Sequence, residues 1–104
     1  MAQWITACSM ADLLDEDIVT VTLAGQSYAL CLDDDDTPHC TGPVCPRDGA
    51  NLAGGLVDGD VIICPMEDCR FHLTTGLPAD DVADVALAIY PARINGDMVE
   101  ISLT

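Results

Sequence analysis

No long stretch of this chain shows helical periodicity; short apolar or alternating runs separated by turn residues take its place. Val19-Thr20-Val21-Thr22-Leu23 alternates apolar and polar residues, as a half-buried strand does. Ala24-Gly25-Gln26 then reads as a turn and Tyr28 to Leu32 as the next strand, together an antiparallel hairpin. Trp4 to Cys8 reads as a first strand, followed by a polar, turn-like link from Ala11 to Asp17 with Leu13 and Leu14 tucked in. Val61-Ile62-Ile63 is a continuous apolar run, expected as a strand buried on both faces. Phe71-His72-Leu73 forms a strand running into the Thr74-Thr75-Gly76 turn, and 78–84 is an acidic loop. Leu87 to Ile94 and Met98 to Leu103 are expected strands joined at Asn95-Gly96, where both residues tolerate positive φ. Pro91 puts its strand at an edge or bulge, because it cannot donate to a ladder. The pattern predicts an all-β chain: one small antiparallel β-sandwich domain over 1–104, with two cysteine-bearing loops.

Charge narrows the partners. There are 18 acids against 3 bases, Arg47, Arg70 and Arg93, for a net charge of −15. Such a surface repels nucleic-acid phosphates and anionic lipid, and it steers basic protein partners at low salt. A chain adapted to high salt would carry the same surface. Asp33 to Asp36 must form an exposed turn; a calcium loop would need alternating ligands and a closing Glu, which are missing. Met1 to Ser9 lacks the basic start and apolar run of a secretory signal, and no run is long enough to span a membrane, so a cytoplasmic location is expected. In that compartment the 6 cysteines favour metal or redox roles over disulfides.

Cys40-x4-Cys45 and Cys64-x4-Cys69 are two matched pairs flanked by Pro and Gly, whereas Cys8 and Cys31 fall in strand patterns as small core hydrophobes. Zinc knuckles use a shorter spacing. Nothing assembles a nucleophile, base and orienter, and Gly54-Gly55 has no P-loop context. Cys45-Pro46-Arg47, sixteen residues, then Cys64-Pro65-Met66-Glu67 has the spacing C-x-H-x16-C-x-x-H and resembles a Rieske site. Asp48 to Gly55, Gly59 to Pro65, Arg70 to Gly76 and Tyr90 to Val99 also resemble the matching segments of small Rieske ferredoxins. Trp4 to Cys8 resembles the opening of the assimilatory nitrite reductase small subunit, which has this fold and typically lacks the cluster ligands.

The resemblance implies a Rieske-type sandwich with both loops at one tip and a [2Fe–2S] cluster, one iron held by Cys45 and Cys64 and the other by two imidazoles. The imidazole positions hold Arg47 and Glu67. A guanidinium has no lone pair for iron, and carboxylate suits harder ions. His39 and His72 do not restore the set by spacing; His72 falls on a strand face. Three readings follow. Cys40 and Cys69 replace the imidazoles, giving a four-thiolate cluster of lowered potential with Arg47 as compensating cation. Alternatively no metal binds, and the fold serves as a docking or regulatory subunit, with Arg47 paired to Glu67 and Cys45 able to bridge to Cys64 on oxidation. Or four thiolates hold a structural zinc ion. The first reading implies a small electron-transfer component of a multicomponent oxidoreductase, working between a flavin reductase and a terminal oxygenase or reductase subunit. Asp48 and Asp68 would meet those partners beside the tip.

Overall fold

A computed structural model describes residues 3–47, 49–66, 69–79 and 85–102. Strands β2 (Ile18–Leu23) and β3 (Gln26–Leu32) pair antiparallel from Ile18↔Cys31 to Leu23↔Gln26, with Ala24 and Gly25 both left-handed at the turn, as expected. β4 (Pro38–Thr41) adds to β3, and β8 (Ile89–Tyr90) adds to β4, completing a four-stranded sheet. β1 (Trp4–Ser9), β10 (Met98–Ser102) and β9 (Ala92–Asn95) form a second sheet in that order. β5 (Leu56–Asp58), β6 (Val61–Ile63) and β7 (Arg70–His72) form a third, after a single 3-10 turn at Leu52–Gly54. Among the described residues every strand pairing is antiparallel. The expectation of a small antiparallel β fold holds, the described strands forming three sheets with little helix.

Several local expectations are corrected. The strand expected over Leu87 to Ile94 is cut by Pro91 into β8 and β9, which belong to different sheets. Lacking an N–H, Pro91 cannot continue a ladder, and its carbonyl instead accepts from Ser102 N–H at 3.0 Å. In the last hairpin Asn95 pairs with Met98, so the turn residues are Gly96 and Asp97, and of these only Gly96 is left-handed, at φ +66. The link after β1 is a short helix, α1 (Met10–Asp15), capped by Ser9 Oγ accepting from Asp12 N–H at 3.2 Å. Leu13 is buried, but Leu14 is 65% exposed and is not tucked in. In β6 only Ile62 is fully buried, so that strand is not enclosed on both faces.

The four-stranded sheet divides the interior in two. Along β3, Ala29 and Cys31 face one apolar cluster while Tyr28 and Leu30 belong to the other, the period-two rule of a pleated strand. The first cluster joins Leu52, Ile62, Phe71 and Leu73 to Cys45, Cys64 and Cys69. The second joins Leu13, Val99 and Ile101 to Cys8 and Cys40. Tyr28 and Tyr90 meet edge to face on the second side, with ring centroids 5.0 Å apart.

Candidate metal centre at the cysteine loops

β4 leads into the first cysteine loop and β6 into the second. Each loop closes the same way: Cys45 N–H donates to Ala50 C=O at 2.8 Å, and Cys64 N–H donates to Cys69 C=O at 2.8 Å. In each case the cysteine bonds to the carbonyl five residues on, and a proline with fixed φ follows the cysteine. Gly49 N–H returns to Cys45 C=O at 2.9 Å, and Val44 bridges Asn51, so the first loop is pinned on both sides. The loops are also pressed together. A Cβ on Gly54 would touch the Pro65 ring at 3.7 Å, and one on Gly55 would fall 2.1 Å from the Ile63 carbonyl oxygen.

Three of the four expected thiols fall in one apolar cluster. Cys45, Cys64 and Cys69 are buried in one cluster beneath the loops. Arg47 crosses from the first loop to the second, its Nη1 donating to Cys69 Sγ at 3.6 Å. Cys40 does not join them. It pairs with Leu30 across the β3–β4 ladder, so it shares the face of Leu30 and lies on the far side of the sheet from the other three. Burial pushes the Cys40 thiol up to about 12, with nearby Cys31 and Cys8 adding to the effect. Burial likewise pushes Cys31 up to about 12, so Cys31 and Cys40 are protonated core thiols, and Cys8 is also raised by burial.

Glu67, Asp48 and Asp68 lie outside the described residues. His72 lies in β7 opposite Val61, on a strand as expected. His39 is tied to Asp33, Nε2 to Oδ2 at 2.8 Å. Desolvation pushes the Asp33 carboxyl up, but His39 and the N–H groups of Thr37 and Asp35 outweigh it and hold the carboxyl below its ordinary value. Among the described residues, Asp33, Asp34 and Asp35 alone place three metal-capable groups within 4.8 Å of one another. Both Asp33 oxygens are already engaged there, which fits the expected turn rather than an ion site.

The profile of the Rieske-like [2Fe–2S] domain matches residues 3–102. The chain belongs to that family. It is 28% identical over 102 residues to the ferredoxin component of the naphthalene 1,2-dioxygenase system of Pseudomonas putida, covering 98% of this chain and 97% of the relative. It superposes at a TM-score of 0.86 and 30% identity on a Mycobacterium tuberculosis protein assigned as an NADH-dependent nitrite reductase small subunit, covering 100% and 97% of the two chains. A chain in the complex of reduced oxygenase and oxidized ferredoxin of carbazole 1,9a-dioxygenase matches at 0.83 and 28% identity, over 95% and 92%.

The family's two-imidazole cluster does not fit this chain. Arg47, at one imidazole position, offers only N–H donors, and one of them points at Cys69 sulfur. Cys45, Cys64 and Cys69 carry the thiol donors that iron–sulfur centres take and share one buried cluster, and Arg47 donates to the last of them. Sequence reasoning singled out Cys45, Cys64, Cys69 and Arg47, and the structure brings Arg47 to Cys69. That reasoning missed the face on which Cys40 lies, which the observed β3–β4 register fixes by pairing Leu30 with Cys40.

Proposed function

We propose that this protein is a small ferredoxin-like electron-transfer component of a multicomponent oxidoreductase, receiving electrons from a flavin reductase and passing them to a terminal oxygenase or reductase subunit. The observation that carries the reading is the burial of Cys45, Cys64 and Cys69 in one cluster at two matched loops, in a chain that aligns end to end with oxygenase ferredoxin components. These thiolates would hold an iron–sulfur centre at the tip. When bound, such a centre supplies one-electron transfer, and thiolate in place of imidazole lowers its potential. Arg47 offsets the negative charge of the thiolates. Asp48 and Asp68, beside the two loops in sequence, supply charge for a basic partner surface. A four-thiolate zinc ion is disfavoured, because tetrahedral ligation needs the sulfurs clustered and Cys40 faces the other core.

A second reading has its own support. The Arg47 guanidinium links the two loops through Cys69, and the fold is shared with a nitrite reductase small subunit, which supports a metal-free docking subunit. Iron and sulfide content, with visible absorption, of protein made under iron supply distinguishes the two. The electron-carrier reading expects a coloured protein, loss of colour in Cys45→Ser, Cys64→Ser and Cys69→Ser, and retention in Cys40→Ser. A folded, colourless, iron-free parent protein overturns it in favour of the metal-free subunit.

A further inference from the structure

A groove of about 230 Å³ lies between α1, the turn after β3 and the β5–β6 turn. Leu13, Leu14, Leu32 and Val57 supply its apolar lining, and Asp17, Asp33, Asp34 and Asp36 its carboxylates. It stands at the opposite strand ends from the cysteine loops. β4 runs from the Asp33 turn toward Cys45, and β6 runs from the Gly59 turn toward Cys64, so both strands separate the groove from the tip. Three features set it apart from the general acidity of the surface. Leu14 is 65% exposed on a helix whose neighbouring Leu13 is buried, so an apolar side chain is presented beside carboxylates. None of the chain's arginines lines the groove; Arg47 is in the first cysteine loop, Arg70 on β7 and Arg93 on β9. Asp33 is fixed by His39 and two backbone N–H groups, which holds the turn bearing Asp34 and Asp36 in place.

We infer that this groove is a second docking site, remote from the cysteine tip, for a basic amphipathic segment of a partner protein. The aliphatic stems and apolar residues of that segment cover Leu14, Leu32 and Val57, while its lysine or arginine heads meet Asp17, Asp34 and Asp36. Charge complementarity selects the occupant: an acidic or neutral segment would leave these carboxylates facing no cation. The site leaves the tip open, so two partners can be held at once, and it does not depend on what the cysteine loops bind.

The test is a titration of the ¹⁵N-labelled full chain with a synthetic lysine–leucine amphipathic peptide, compared with a lysine–serine peptide of equal charge. The expected result is saturable shifts confined to residues 10–17, 32–36 and 57–59, with the lysine–serine peptide weaker by about tenfold. Leu14→Ser and the pair Asp34→Asn with Asp36→Asn should each weaken the lysine–leucine peptide by about tenfold, whereas Asp48→Asn with Asp68→Asn should change it less than about twofold. No binding, equal affinity for the two peptides, shifts centred on the cysteine loops, or equal loss in the Asp48 and Asp68 variant would each overturn the inference. None of these outcomes bears on iron content, so failure here is separate from failure of the electron-carrier reading.

Discussion

Cys31 and Cys40 carry thiols that the fold keeps protonated. In the unfolded chain each ionises near its ordinary value of 9.0; in the folded protein burial holds the proton to about 12. The folded state therefore binds more protons than the unfolded state between these values, and stability is full below about pH 9 and falls as pH rises toward about 12. Urea unfolding at about pH 8 and about pH 10.5 should show this loss, and Cys40→Ala should lose less over the same interval than the parent. A flat profile in the parent would contradict the buried placement of both thiols. Arg47 works the other way, as a permanent charge beside Cys69. The identities of Arg47 and Glu67 were legible from spacing alone, because ligand chemistry depends on residue type. The separation of Cys40 from Cys45, Cys64 and Cys69 was not, because it depends on which face of a strand each side chain takes.

At the scale of elements, the loops depend on the strand junctions beneath them. Gly55 lies between the 3-10 turn and β5, and any side chain there would collide with the Ile63 carbonyl just before Cys64. Gly55→Ala should destabilise the protein by roughly 3 kcal/mol, the upper part of the range for overpacking, because backbone rather than a flexible side chain must yield. Chemical denaturation measures it, and a change below about 0.5 kcal/mol, the level of an ordinary surface substitution, would mean the junction is loose. The hairpins of β2–β3 and β9–β10 were readable from alternation and turn residues. α1 was harder, since six residues are too few to show helical periodicity, although Ser9 followed three residues later by Asp12 is a capping signal. The break at Pro91 was half legible: proline announces an interrupted ladder, but not that the chain crosses from one sheet to another.

Across the whole molecule, a net charge of −15 on 104 residues opposes compaction. Raising sodium chloride from about 0.02 M to about 0.5 M should raise the melting temperature, because the screening length falls below the spacing of most surface carboxylates. An unchanged or lower melting temperature would show that the acids are spread widely enough for repulsion to be negligible. The same salt should slow association with a basic partner at either end of the molecule. Composition, alternation, turn residues and the sixteen-residue interval between Arg47 and Cys64 were enough to read an all-β chain, its family and the loss of both imidazoles. These follow from residue type and near-neighbour order, which a linear chain displays directly. Pleat parity put Cys40 in the other core, β4 and β6 carried the cysteine loops away from the Leu14 groove, and Arg47 came to lie on a thiol 22 residues distant. Those outcomes depend on how sheets stack and which faces meet, and only the folded backbone fixes them.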